Sequence, residues 1–140
     1  MNDQLTEVLT FIPQRPPFVF IDEIVEVSEL KIVGQFEVLA NNVLVTNGRL
    51  AEGGLIECMA QTVAAGAGYE AVQNNADVKL GYIAALRNLQ IFRLAAVGEI
   101  LKTIVKIVNH VLDVTITQTE VFAGTEKIAE CEMRIYIKNE

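Results

Sequence analysis

The stretch Leu55–Val72 limits what this chain can become more than any other part of it. Between Glu57 and Glu70 it holds no Asp, Glu, Lys or Arg, and it is crowded with Ala60, Ala64, Ala65, Gly66, Ala67 and Gly68. Its length and composition predict a helix over residues 55–72. A helix that is apolar all round has no solvent face and must be surrounded by protein. Small side chains let a neighbouring sheet approach its backbone closely. In an isolated helix Gly66 and Gly68 would each cost about 1 kcal/mol relative to alanine, so tertiary packing has to hold this one. No membrane span is expected, because no stretch reaches about 18 consecutive apolar residues.

The flanking sequence supplies strands. Residues Asp3–Ile12 place Leu5, Val8, Leu9 and Ile12 at helical spacing, and Pro13 ends that short helix. The prolines of Gln14-Arg15-Pro16-Pro17 enforce an extended linker. Phe18–Val27 and Leu30–Leu39 read as strands joined by a turn at Ser28-Glu29. Residues 40–54, with Thr46-Asn47-Gly48 at their centre, read as a loop.

After the polar loop Gln73–Asp77 the pattern alternates with period two. It predicts strands over Tyr82–Phe92, Leu101–Val108, Val111–Phe122 and Glu126–Lys138, with hairpin signals at Asn109-His110 and Ala123-Gly124-Thr125. Leu101, Thr103, Val105 and Ile107 should share one face. So should Leu112, Val114, Ile116 and Phe122, and likewise Ala129, Cys131, Met133, Ile135 and Ile137. The class is α+β: about six antiparallel strands covering one apolar helix, in a single domain over residues 1–140. One sheet cannot enclose a helix completely, so a dimer is expected to bury the rest.

Composition excludes several functions. Hydrophobic residues make up 51% of the 140, enough for a core without cross-links. The net charge of −7, with 11 scattered basic residues, argues against nucleic acid. Cys58 and Cys131 lack the spacing of a metal site or a disulfide framework and read as small apolar residues in a reduced compartment. With no basic n-region followed by an apolar run at Met1-Asn2-Asp3-Gln4, the chain reads as cytoplasmic. His110 is the only histidine. A Ser-His-Asp triad or a metal site would have to be built around it, and no acid or nucleophile stands near it in sequence. It reads as a solvated turn residue.

Glu57 is the sharpest candidate for chemistry. It falls in the first turn of the predicted helix, where the dipole favours a carboxylate, and such a group serves as general acid or base. The plainer reading is an acid that only stabilises the helix start. Gly53-Gly54, just before that helix, offer backbone N–H groups able to polarise a carbonyl oxygen. They also serve as a simple flexible lead-in. Gln61 lies one turn after Glu57 on the same face. It either orients Glu57 or pairs with a backbone group, and pairing is the reading preferred. Lys102 and Lys106 read as a solvated stripe.

These segments, in this order, resemble a known family. Ile12-Pro13-Gln14-Arg15-Pro16-Pro17-Phe18-Val19-Phe20-Ile21-Asp22 resembles the opening of the β-hydroxyacyl-ACP dehydratases, L-P-H-R-x-P-F-L-L-[IV]-D. Leu55-Ile56-Glu57-Cys58-Met59-Ala60-Gln61 resembles their central-helix motif, an acid followed by x-x-A-Q. Ala84–Arg93 followed by Val97-Gly98-Glu99 resembles their A-G-[IL]-x-x-[VL]-K-F-[RK]-x-P-V-x-P-G-D segment, and Lys127–Glu132 looks like their last strand. The resemblance implies a hot-dog fold, a curved sheet around a central helix. It implies dehydration of a 3-hydroxyacyl thioester carried on the phosphopantetheine of an acyl carrier protein or CoA, without a resident cofactor or metal. A His and an acid from opposite subunits form the family site, so Glu57 becomes the acid. Gly53, Gly54 and Leu55 become the backbone donors, with Gln61 and Asn47 in support.

The sequence departs from the family where its histidine should stand. The family loop G-H-F-P-G-x-P-x-x-P-G is here Asn42–Gly54, without His or Pro, and the early family His is Gln14. Thr46, Asn47 and Glu52 are the residues left to replace it. The altered loop with Glu57–Gln61 retained is similar to the divergent dehydratase-like subunits of aryl-polyene-type pathways. The expected assembly is therefore a homodimer or higher homo-oligomer, or a heterodimer with a complete dehydratase. Two other readings stand beside it. One is a hot-dog thioesterase using Glu57. The other is a non-catalytic module binding an acyl group or carrier protein, in which Arg87, Arg93 and Lys102 would offset the acidic balance.

Overall fold

The computed structural model describes residues 7–79 and 81–137. Residues 3–6 of the predicted N-terminal helix, Leu5 among them, and Lys138 of the last strand lie outside these; residues 7–9 are helical. There follow β1 (Glu23–Val27), β2 (Lys31–Glu37), β3 (Val45–Thr46), β4 (Arg49–Leu50), α1 (Glu52–Gln73) and β5 (Gly81–Ile91). The chain closes with β6 (Ala95–Ala96), β7 (Ile100–Val111), β8 (Val114–Ala123) and β9 (Glu126–Ile137). Six strands form one antiparallel sheet, in the order β1-β2-β7-β8-β9-β5, and β3, β4 and β6 form a small second sheet.

Helix α1 touches all six strands of the large sheet. A helix is about 10 Å across and strands lie about 4.8 Å apart, so the sheet must curve around it. Phe20, Leu50, Leu55, Met59, Val105, Ile128 and Met133 fill the space between. Glycines set the closest approaches. A β-carbon at Gly66 would overlap the Ile32 side chain, and one at Gly68 would overlap the backbone carbonyl of Phe11. The helix still leaves one stripe incompletely covered. Glu57, Ala60, Ala64, Ala67 and Ala71 recur at spacings of three and four and are all only half-buried.

Four expectations are corrected. The strand predicted from Phe18 begins at Glu23, because the backbone at Phe18 and Phe20 bonds to the Gln61 side chain instead of to a strand. Residues 40–54 are not simply a loop. Asn47 and Gly48, both at positive φ, make the two-residue turn of hairpin β3–β4, and residues 52–54 already belong to α1.

The third correction concerns β8. Its buried face is Thr117, Thr119, Val121 and Ala123, not the face of Val114, Ile116 and Phe122, while Leu112 is 98% exposed. The hydroxyls of Thr117 and Thr119 donate to the Met133 and Cys131 carbonyls at 3.0 and 2.9 Å, so these polar side chains are buried with their bonds made. Lastly, β7 runs on to Val111, so the turn is Leu112-Asp113 and His110 lies within a strand.

Arg93 closes the connection between β5 and β7. Its guanidinium donates to both Glu99 carboxylate oxygens at 2.8 Å, to both Glu126 oxygens at 3.0 and 3.1 Å, and to the Leu94 carbonyl at 3.1 Å. The bonds from Arg93, and then that from the Ala96 N–H, hold the Glu99 carboxyl down to about 2 from an ordinary 4.5. A carboxyl depressed on folding stabilises fully above its unfolded value, and the contribution disappears as pH falls through the folded value.

Two outcomes are expected. Gly68→Ala should cost about 3 kcal/mol, the upper end for overpacking, because a backbone carbonyl cannot rotate away; a urea titration reads it. Thermal melts at stepped pH should show the wild-type chain losing stability between pH 4.5 and about 2. Glu99→Gln should be flatter over that window.

Candidate functional site

Glu57 lies in the second turn of α1, not the first, because the helix begins at Glu52. Ala51 precedes it in extended conformation (φ −64, ψ 161) with no side-chain cap, and its own N–H donates to the Leu44 carbonyl at 2.9 Å. Gly53 and Gly54 are therefore inside the helix. The Gly54 N–H is already engaged, donating to the Ala51 carbonyl at 2.9 Å. The Leu55 N–H takes its place in the i→i−4 ladder. The first-turn N–H groups of Glu52 and Gly53 have no carbonyl to reach within the helix. Gly53 is exposed, and Glu57 stands four residues on, on the same face about 6 Å along the axis.

Gln61 does both things that its position suggests. Its Oε1 accepts from the Phe20 N–H at 2.7 Å. Its Nε2 donates to the Phe18 carbonyl at 3.0 Å and to Glu57 Oε1 at 2.8 Å. The residue is only 1% exposed. One amide thus ties the N-terminal segment to α1 and fixes one oxygen of a half-buried carboxylate.

The other candidates are not gathered there. Asn47 sits exposed at the tip of hairpin β3–β4, where its φ of 55 serves the turn. Thr46 and Glu52 are also exposed. His110 lies toward the end of β7, its Nδ1 3.2 Å from the Thr115 hydroxyl. Cys58 is fully buried beneath the site. Desolvation, followed by the nearby Asp22 and Glu57 charges, raises its thiol far above the ordinary value, so it stays protonated and inert. Arg93, spent on Glu99 and Glu126, is not available to a basic patch with Arg87 and Lys102.

Asp22 was not singled out by its sequence position. It accepts the Glu37 N–H at 2.7 Å, and burial raises its carboxyl above the usual range. With Pro16, Pro17, Phe36, Leu39 and Asn42 it lines a cleft of about 290 Å³. An acid closing the apolar run Phe18–Ile21 was the available signal. Among the described residues no group of His, Cys, Asp and Glu is placed to hold a metal ion, and no helix is long and apolar enough to cross a membrane.

The removal of Gln61 is informative. Gln61→Leu leaves the buried Phe20 N–H without its acceptor, a loss of about 1–3 kcal/mol. The denaturation midpoint should drop accordingly, while Glu57→Gln, changing a half-buried group, should leave it nearly unchanged.

Comparison with known proteins places this geometry. Of solved structures, the dehydratase heterocomplex ApeI:P from Xenorhabdus doucetiae superposes with a TM-score of 0.87 at 19% identity, over 95% of this chain and 91% of that one. A hypothetical thioesterase with coenzyme A from Streptococcus pneumoniae gives 0.65 at 11% identity, covering 84% and 86%. The PaaI protein of the Escherichia coli phenylacetic acid degradation operon gives 0.65 at 13%, covering 81% and 80%. At these identities the likeness is one of fold, the hot-dog fold. No curated protein sequence matches the chain. The family model of the ApeP-like dehydratases matches residues 6–140, so the chain belongs to the ApeP-like dehydratases.

Proposed function

We propose that this chain is the acid-bearing half of a two-subunit 3-hydroxyacyl thioester dehydratase. The observation that carries the reading is the pairing of Glu57 with Gln61 on an incompletely covered helix face, with the one histidine bonded elsewhere. Dehydration needs a base for the α-proton and an acid for the departing 3-hydroxyl. A second hot-dog subunit supplies the base, a histidine. The Glu57 carboxyl acts as the acid: a proton passes from it to the hydroxyl, the C–O bond breaks, water leaves, and the electron pair of the broken C–H bond becomes the trans-2 double bond. The Gly53 N–H at the helix start polarises the thioester carbonyl and stabilises the charge gathering there.

Three features support a partner of this kind. The half-buried stripe Glu57–Ala71 leaves α1 unfinished as a core element. The sheet ends in β5, an edge strand carrying exposed Tyr82, Ile83 and Leu89, and an unpaired edge invites another strand. The neighbour from Xenorhabdus doucetiae is itself a heterocomplex. The substrate arrives on the phosphopantetheine arm of a carrier protein or of CoA. An acidic carrier protein finds little basic surface here, so docking falls mainly to the partner.

The test mixes the purified chain with a complete dehydratase-type hot-dog subunit and follows 3-hydroxyacyl and 2-enoyl thioesters. The mixed complex should turn over, and Glu57→Gln should lower kcat by roughly 10²–10⁴-fold, the usual worth of a positioned acid. Unchanged turnover in Glu57→Gln, or two subunits that never associate, would overturn the reading. A second reading shares the same geometry: Gly53 and Glu57 on one helix face also suit water attack on a thioester. Release of free thiol by the chain alone would favour that hydrolysis.

A further inference from the structure

The far half of α1 roofs a second cavity that the acyl reading does not use. It holds about 250 Å³, the liquid volume of roughly eight water molecules. Its floor is Ile32, Ile107 and Ile137 of the sheet, and Val63, Gly66 and Ala67 form the helix side. Glu57 does not line it. Glu70, at its mouth, lies thirteen residues further on, roughly 20 Å along the helix axis. The cavity is therefore separate from the proposed acyl site.

The mouth is polar and acidic. Glu29 from the β1–β2 turn and Glu70 from α1 both line it, with Gln73 and the His110–Thr115 pair. Neither carboxylate forms an ion pair among the described residues, although Glu120, Glu130 and Glu132 all do. Two unpaired acids at the rim of an apolar hole define what fits. An alkyl chain gains by leaving water for the floor. A carboxylate or phosphate head would meet like charge, on a chain whose net charge is already −7. An ammonium head would meet two acceptors.

We propose that this cavity binds a protonated alkylamine, its chain against Val63, Ile107 and Ile137 and its ammonium between Glu29 and Glu70. The site uses neither Glu57 nor Gly53 and shares only Ala67 with the half-buried stripe of α1, so binding of a small amine to the chain alone is read apart from turnover by the mixed complex.

Octylamine is a suitable probe, since an alkylamine is protonated at neutral pH as lysine is, with octanol and octanoate beside it. Calorimetry on the full chain, with amide NMR to locate the site, should give saturable octylamine binding with shifts at Gly66, Ala67 and His110. Octylamine should bind at least several-fold tighter than octanoate. Glu29→Gln with Glu70→Gln changes only exposed side chains and leaves the fold intact. It should weaken octylamine roughly three- to tenfold without affecting octanol, and Ala67→Leu should block all three by filling the hole. Octanoate binding as tightly as octylamine, an affinity indifferent to the double charge change, shifts that map elsewhere, or no saturable binding would each overturn the proposal.

Discussion

Everything in this molecule follows from a helix with no charged side chain between Glu57 and Glu70. Such a helix cannot lie on a surface, so the strands must curl round it, and they do so with all six of the large sheet. Burial that deep demands small residues where backbones meet. Gly66 admits Ile32 and Gly68 admits the Phe11 carbonyl. The enclosure is still incomplete, because a sheet with two free edges leaves an arc open. The residues on that arc are four alanines and Glu57. The one ionisable group of the stripe therefore stands on the side where another molecule can arrive.

The site shows how little local chemistry this chain carries by itself. Its acid is positioned by a buried amide, its helix start offers the N–H of Gly53, and its only histidine sits in β7 against Thr115. What the comparisons add is membership of the ApeP-like dehydratases and the hot-dog fold. The buried thiol of Cys58 contributes packing, not reactivity, because desolvation keeps it protonated.

Much of this was legible in the sequence, and the failures have physical causes. The central helix, six strands and their partition round it follow from apolar periodicity, as does the inward face of β7 and β9. The face of β8 does not, because hydropathy penalises threonine while the sheet offers Thr117 and Thr119 carbonyls to bond. The helix start was misplaced by three residues because Gly53-Gly54 reads as a break, yet Gly54 is where Leu50 needs the room. Helical spacing placed Gln61 one turn after Glu57 on the same face, and the two side chains do meet. Asp22 was passed over, since only the folded chain brings the Glu37 N–H to it. The turn signal at Thr46-Asn47-Gly48 is met in the structure: Asn47 and Gly48, both at positive φ, form the tip of the β3–β4 hairpin.

The amide of Gln61 has one further consequence. Its oxygen is committed to the Phe20 N–H, so its NH₂ has only one direction left, toward Phe18 and Glu57. The amide flip that exchanges O and N in surface glutamines is forbidden to it, because it would break all three bonds. A glutamate at 61 would set two acids face to face, and a leucine would strand the strap, so drift at one position is paid at the other. Loss of the acid at 57 would therefore free only one of the amide's two donor bonds; the bonds to Phe18 and Phe20, which hold the N-terminal segment against α1, would still require an amide at 61.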